Sequence, residues 1–183
     1  AHSGDVLIGE AIPAAFELEV PPPPSFDQAL AAQAHSPALD PHIENVVSGG
    51  LGFHPVCFCC GADVPKGVGL RVFAAPVTGF EGVAAAWQPD AAFRDDAGVL
   101  PTSVVWAALD CPGQFAYLAD DIRTGLLGRM TAKILAPVVG DVFVITGWRI
   151  AVEGKKHFAG TALFDSNGRC CAYSKQVWIG RRD

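Results

Sequence analysis

Apolar and polar side chains alternate along residues 126–137, where the sequence reads LLGRMTAKILAP. The polar side chains of this run fall on one face of an extended chain and the apolar ones on the other: Arg129, Thr131 and Lys133 against Met130, Ala132 and Ile134. A period of two predicts a half-buried β-strand. Three further runs, rich in β-branched and aromatic residues, follow turn signals and predict strands over 141–153, 155–165 and 169–179. Four consecutive strands joined by tight turns predict an antiparallel meander.

Two shorter apolar runs precede the meander, at 69–77 and 82–89, and predict two more strands. Residues 101–120 interrupt the strands and are apolar on nearly all sides of a helix, which is typical of a helix buried by its surroundings. Pro101 and the hydroxyl residues after it supply helix-start chemistry. Pro112 predicts a kink, because it removes a donor and crowds the preceding turn. We therefore predict an α+β fold in which an antiparallel sheet wraps around one long central helix.

Residues 1–50 have a different composition from the rest of the chain. Four consecutive prolines at 21–24 favour an extended polyproline conformation, and a short helix is predicted near 26–34. We predict a proline-rich N-terminal arm, followed by a domain over 51–183. The sequence leaves open whether the arm docks on that domain or is disordered.

Charge and composition narrow the class of protein. The chain has 183 residues, half of them hydrophobic and only 17% charged, with a net charge of −6. The negative charge disfavours general nucleic-acid binding, and the small charged fraction predicts a surface buried in a partner subunit. Charged residues interrupt every apolar stretch before it reaches the roughly 20 residues that span a membrane, and no secretory signal is visible. We expect a cytoplasmic homo-oligomer that engages neither nucleic acid nor membrane.

One carboxylate, Asp110, lies inside the apolar part of the predicted helix. Helical spacing places it on the one face that carries polar or aromatic partners: Ser103, Trp106, Gln114 and Tyr117. That face should look into a crevice, where apolar surroundings raise the pKa of a carboxyl group. A raised pKa suits a general base that takes a proton from water. The alternative is a structural Asp110 that is hydrogen-bonded to a serine or to the backbone.

Four segments, in this order and spacing, resemble the hotdog-fold thioesterases: CFCCG with GLRVF, GVLPTSVVWAALDCPG, GRMTAKILAPVVGD and GRCCAYSKQVWIG. The resemblance covers roughly residues 55–180. It implies a sheet curled around a helix, hydrolysis of acyl-CoA or acyl-carrier thioesters, and dimers, often paired into tetramers, with sites at the dimer interface. Many members begin the helix with His-Gly-Gly and carry an acid nine residues after the histidine. Here the acid matches Asp110, whereas Pro101, Thr102 and Ser103 stand in the other three places.

The resemblance implies roles for named residues. Asp110 would activate water, and backbone donors at Thr102 and Ser103 would hold the oxyanion, generally from the opposite subunit. Trp106, Gln114 and Tyr117 would line the acyl pocket or the interface. Lys155 and Lys156 on a turn would contact CoA phosphates. Five other basic residues are further candidates for that contact: Arg129, Lys133, Arg169, Arg181 and Arg182.

The cysteines raise two other kinds of site. His54, Cys57, Cys59 and Cys60 have spacings that suit zinc, but no second cysteine pair follows at zinc-ribbon spacing. We therefore expect reduced thiols and neither a metal nor a cofactor. Cys111 as a nucleophile would need a histidine base, and none is local in the sequence.

These observations predict a thioester hydrolase that acts on a small or medium acyl-CoA or an acyl-carrier thioester. The alternative is a non-catalytic protein that binds acyl-CoA or responds to it, which the absent helix-start histidine favours. A dehydratase would need a paired catalytic histidine, which the sequence does not offer.

Overall fold

A six-stranded antiparallel sheet forms the centre of the molecule in the computed structural model, which describes residues 2–8, 10–46 and 49–180. Its strands are β3 (Ala75–Pro76), β4 (Val83–Trp87), β5 (Thr124–Ile134), β6 (Phe143–Glu153), β7 (Lys156–Phe164) and β8 (Cys170–Gly180). The order across the sheet is β3-β4-β6-β7-β8-β5. Near the N-terminus, β1 (His2–Ser3) and β2 (Val6–Leu7) pair as a separate hairpin.

β6, β7 and β8 form three strands of the predicted meander. The first of the four predicted strands, β5, does not pair with β6, the strand that follows it in the sequence. β6 pairs with β7 and β7 pairs with β8, whereas β5 crosses to the far edge and pairs with β8. The reason is that β4 occupies the free edge of β6, with Val83 opposite Gly147 and Trp87 opposite Phe143. The edge of β8 is the place left for β5. The predicted consecutive pairing is therefore wrong at its first step.

The predicted strand over 69–77 is reduced to β3. The amide of Leu70 donates to the carbonyl of Phe58 at 2.7 Å, and the amide of Val72 donates to the carbonyl of Cys59 at 2.9 Å. Arg71 lies between them with a positive φ of 58°, which a regular strand does not allow. The segment is not a strand because its backbone bonds go to the cysteine-containing loop.

The central helix is two helices and not one. α2 (Thr102–Ala108) and α3 (Cys111–Leu118) are separated by Leu109 and Asp110. Pro112 lies in the first turn of α3, where a missing N–H costs nothing. The interruption therefore precedes Pro112. The backbone carbonyls of the interruption accept hydrogen bonds from side chains of the sheet.

The N-terminal segment covers the opposite face of the sheet. The predicted short helix is present as α1 (Phe26–Ala32), with a capping box between Ser25 and Gln28. Ala29 of α1 is buried against a small apolar cluster, and Phe16 packs edge-on against Tyr173 with ring centroids 5.3 Å apart. The described part of the arm therefore packs against the sheet. A domain boundary at residue 50 stays a prediction.

No helix within the described ranges combines the length and the apolar character that crossing a bilayer requires.

Candidate functional site

The interruption between α2 and α3 is held by side chains that rise from the sheet. The hydroxyl of Thr161 in β7 donates to the carbonyl of Leu109 at 2.9 Å. The amide nitrogen of Gln176 in β8 donates to the same carbonyl at 2.6 Å and to that of Asp110 at 3.1 Å. A helix that stops leaves carbonyls without partners, and these two buried residues satisfy them. The backbone of Asp110 is thereby fixed.

The side chain of Asp110 is less well satisfied than its backbone. Its Oδ1 atom is buried and has no hydrogen-bond partner among the described residues. Burial raises the pKa of this carboxyl to about 6, and negative charge at Cys57 adds to the rise. The direction is the one that the sequence predicted. A buried carboxyl oxygen without a partner is free to accept a hydrogen bond from water or from a ligand.

The polar face that the sequence placed around Asp110 divides into two parts. Ser103 and Trp106 on α2 are exposed, and 36% of Trp106 is accessible. Gln114 and Tyr117 on α3 are buried and their polar atoms are engaged within the chain. The Tyr117 hydroxyl lies 2.8 and 2.7 Å from two backbone carbonyl oxygens, those of Ala151 and Phe158.

Gln114 belongs to a buried polar network that the sequence did not indicate. Its Oε1 lies 2.7 Å from Nε2 of His54, and its Nε2 donates to the hydroxyl of Thr124 and the carbonyl of Gly125. His54 comes from the loop before the cysteines, and Thr124 opens β5. Gln114 therefore ties three parts of the chain together around α3.

The start of α2 offers backbone donors to solvent. Val104 and Val105 donate their amides to the carbonyl of Pro101. The amides of Thr102 and Ser103, both exposed residues, find no acceptor in the part of the chain that the structure describes. These are the free N–H groups that a helix N-terminus presents. Since α2 has only seven residues, its dipole is weaker than that of the single long helix which we predicted.

The structure does not bring Lys155 and Lys156 close to Asp110. They lie at the β6–β7 turn, whereas the Asp110 region is level with Thr161, five residues further along β7. At the rise of a strand this separation is about 17 Å. Of the other basic candidates, Lys133 pairs with Glu17 at 2.7 Å, Arg169 pairs with Asp165 at 3.0 Å, and Arg181 and Arg182 lie outside the described residues.

A cavity of about 670 Å³ lies at the other end of α3 from Asp110. Tyr117, Phe80 and Val152 contribute to its lining. Arg149 also lines it and forms an ion pair with Asp120 at 2.7 Å. Sequence reasoning missed Arg149, because its place beside α3 depends on how β6 packs.

The loop containing CFCC meets the start of α3. The Sγ atoms of Cys57 and Cys111 are 3.6 Å apart, and the ligand atoms of Cys57, Cys60 and Cys111 all lie within 4.8 Å of one another. Cys59 points elsewhere, towards the carbonyl of Ala108. Hydrogen bonding with the thiols of Cys111 and Cys60 holds the pKa of the Cys57 thiol well below its usual value. The sequence did not predict that Cys111 joins this loop.

Comparisons of sequence find no relatives: neither a known protein family nor a curated protein matches the chain. Comparison of structure does find similar proteins. A thioesterase superfamily protein has a TM-score of 0.56 at 14% identity, with 61% of this chain matched to 55% of the other, so this chain spans about half its length. The E. coli PaaI protein from the phenylacetic acid degradation operon has a TM-score of 0.54 at 8% identity, over 62% of this chain and 81% of that protein.

A third similar structure contains a ligand. It is a hypothetical thioesterase protein from Streptococcus pneumoniae TIGR4, solved with coenzyme A, with a TM-score of 0.50 at 12% identity over 56% of this chain and 85% of that protein. At such low identities the likeness concerns the fold. The six-stranded antiparallel sheet packed on the α2–α3 segment is therefore the hotdog fold of thioesterase superfamily proteins.

Proposed function

We propose that this protein hydrolyses the thioester of an acyl-CoA or of an acyl carrier, with Asp110 as the general base. The observation that carries the proposal is the Oδ1 atom of Asp110, which is buried and unpartnered while the backbone beside it is fixed by Thr161 and Gln176. Groups that are held rigidly and left unsatisfied are costly to a fold, and such groups occur where a ligand completes them.

The reaction follows from ordinary acyl-transfer chemistry. Asp110 takes a proton from a water molecule as the water oxygen attacks the thioester carbonyl. The free amides of Thr102 and Ser103 donate to the oxyanion that forms. Collapse of the tetrahedral intermediate breaks the carbon–sulfur bond, and the thiolate that leaves takes the proton back from Asp110. The products are a carboxylic acid and a thiol.

Distance along the chain argues that two subunits build one site. Asp110 follows Thr102 by eight residues, which is about 12 Å at the rise of a helix. The base must lie within about 3 Å of the water that it deprotonates, and the oxyanion donors must lie within about 3 Å of the carbonyl oxygen. The separation of Asp110 and Thr102 therefore favours donors from a second copy of the chain. Exposed apolar side chains on β5, β6 and β8 support such contact: Leu126, Ile150, Val152 and Ile179. The homo-oligomer stays a prediction, which sedimentation velocity of the full chain tests.

The substrate class rests on the similar structures and on Trp106. One of those proteins was solved with coenzyme A, and we carry that ligand type over to this chain. Trp106 is exposed one turn before Asp110 and offers an apolar surface to an acyl group. Lys155 and Lys156 are exposed and unobstructed at their turn, and in an oligomer they remain our candidates for the phosphates of CoA. We propose that Gln114 and Tyr117 hold α3 in position, since their polar atoms are hydrogen-bonded within the chain.

The second candidate is a protein that binds acyl-CoA without turnover. Pro101 favours it, because proline at the N-cap of α2 offers neither an N–H nor a side-chain donor to a substrate carbonyl. The two candidates share the binding site and differ in whether thiol is released.

Release of free thiol from a panel of acyl-CoA thioesters, measured for the parent protein and for Asp110→Asn, tests the proposal. We expect kcat/KM to fall about 10²-fold or more, the usual worth of a positioned base. The change is nearly isosteric and removes a charge from a buried position without partners, so Asp110→Asn should melt no lower than the parent at neutral pH.

Asp120→Asn is the matched control, because Asp120 is exposed at the far end of α3 and pairs with Arg149. It should retain parental turnover. Equal turnover by Asp110→Asn would assign Asp110 to structure alone. Binding of acyl-CoA by a parent that releases no thiol would favour the second candidate.

A further inference from the structure

Three cysteine sulfurs converge at the α2–α3 interruption, and they are the only described His, Cys, Asp or Glu ligand atoms to gather in this way within 4.8 Å. We infer that Cys57, Cys60 and Cys111 bind a zinc ion that clamps the CFCC loop to the start of α3. The inference is independent of the proposed hydrolysis, because it concerns what holds the site together.

The spacing of the sulfurs fits a tetrahedral thiolate site. Zinc–sulfur bonds of about 2.3 Å place the sulfurs of such a site about 3.8 Å apart. The Sγ atoms of Cys57 and Cys111 are 3.6 Å apart, and no pair in the trio exceeds 4.8 Å. A disulfide would require two of these sulfurs to approach to about 2.05 Å. Zinc binding therefore requires smaller movements of the sulfur atoms than formation of a disulfide does.

The loop holds its two sulfurs in place before any ion arrives. The amide of Gly61 donates to the carbonyl of Cys57 at 2.7 Å, which closes a tight turn. A Cβ atom at Gly61 would stand 2.5 Å from that carbonyl oxygen, so only glycine fits there. The backbone bonds from Leu70 and Val72 to Phe58 and Cys59 fix the loop from the other side.

Thiolate is the form of cysteine that binds metal. Cys60 and Cys111 are buried, so a cation gives their sulfurs the counter-charge that the apolar surroundings lack.

The third ligand, Cys111, comes from the helix that also contacts the loop through the pair between Gln114 and His54. Cys111 opens α3, immediately before Pro112 and after the carbonyls that Thr161 and Gln176 hold. Its position is therefore rigid. Three thiolates leave the fourth position of a tetrahedral ion to water, on the side of Cys57, the only one of the three that is partly exposed.

Metal analysis of the full-length protein, purified without chelators and then dialysed against zinc, tests the inference. We expect about one zinc per chain in the parent and in Cys59→Ser, the control whose thiol lies in the same loop but points away. Cys60→Ser and Cys111→Ser should lose most of the metal. Zinc retained at the parental level in Cys111→Ser would overturn the inference, and so would a parent that takes up none.

Two measurements on the unmutated protein guard against variants that fail to fold. Replacement of zinc by cobalt(II) should give the thiolate-to-cobalt charge-transfer band and the intense visible bands of a tetrahedral ion. Alkylation of the native protein should modify Cys57, the partly exposed thiol of the three, only after a chelator is added, as read by mass spectrometry. Rapid alkylation of Cys57 in the zinc-treated protein, or a disulfide joining Cys57 to Cys111 in place of metal, would contradict the site.

Discussion

The two faces of the central sheet are covered by different means. On one face, the backbone of α3 lies against the backbone of β6, and buried side chains of the sheet donate to carbonyls at the helix interruption. On the other face, the arm lays apolar side chains over the strands. Phe16, Leu18 and Val20 pack there against a cluster formed by Trp148, Ala162, Phe164 and Tyr173.

The two faces differ in how strictly they fix the position of the segment that packs on them, which is α3 on one face and the arm on the other. Hydrogen bonds and backbone contacts have narrow optimal geometries, whereas apolar contact depends mainly on area. The ion pair that joins Glu17 of the arm to Lys133 of β5 is exposed. The helix face should therefore respond sharply to single substitutions, and the arm face should respond in proportion to the area that is lost.

The largest effect is expected from Gly147→Ala. A Cβ atom at Gly147 in β6 would clash with the carbonyl oxygen of Pro112 and would stand 2.5 Å from its carbonyl carbon. Backbone cannot rotate away as a side chain can, so α3 must shift. We expect a loss of about 3 kcal/mol in the free energy of unfolding, measured by urea denaturation.

Gly128→Ala is the control for that substitution, because a Cβ atom at Gly128 in β5 would stand 3.0 Å from the Ile179 side chain and 3.5 Å from the nearest backbone atom, the Val177 carbonyl oxygen. It should cost less than about 1 kcal/mol. Equal effects of the two substitutions would mean that α3 is not held closely against the sheet.

A smaller effect is expected from Gln176→Leu. The side-chain amide of Gln176 donates to two carbonyls at the helix interruption, and its oxygen accepts from the indole of Trp178 at 2.8 Å. Leucine leaves the indole N–H of Trp178 buried without a partner and removes both side-chain bonds to the helix interruption, at a cost of about 2 kcal/mol.

The same substitution at Gln28 provides the comparison with the arm. Gln28 is exposed and accepts only from the amide of Ser25 in the capping box. Gln28→Leu should cost less than about 1 kcal/mol. A larger cost for Gln28→Leu than for Gln176→Leu, in matched denaturation curves, would reverse the proposed ranking of the two faces.

The smallest effect is expected on the arm, from Phe16→Ala. Phe16 is half-buried and loses one edge-on contact with Tyr173, which corresponds to about 1 kcal/mol. Limited proteolysis of the arm should become faster in this variant. The neighbouring Glu17→Gln should leave both stability and proteolysis unchanged, since its ion pair is exposed. If Glu17→Gln released the arm and Phe16→Ala did not, charge and not apolar area would hold it.

The strands were predictable from the sequence because their signal is local. β6, β7 and β8 each fall within one or two residues of the run that predicted them, since alternation and turn residues are properties of neighbouring positions. The pairing of β5 was not predictable in the same way. It depends on β4 taking the edge of β6, and the two strands are far apart in the sequence.

The candidate site was predicted in part for the same reason. Asp110 stands out as a charge among apolar neighbours, and its burial follows from that context. The break in the helix depends on Thr161 and Gln176, which belong to other strands. The meeting of Cys111 with Cys57 and Cys60 likewise joins positions more than fifty residues apart along the chain, and spacing rules apply only within one segment.

The pairing of β5 with β8 has a consequence for the order in which the chain can fold during synthesis. β5 leaves the ribosome before β6 and β7, yet among the described strands its partner is β8, so residues 135–169 must be made before β5 can pair. During that interval β5 is an unpaired edge with an apolar face, the kind of segment that associates with other chains. Lys133 and Arg129 alternate with the apolar residues of β5. They place charge along that edge before the strand is paired. We expect the same alternation that identifies the strand to limit the association of the nascent protein with other chains.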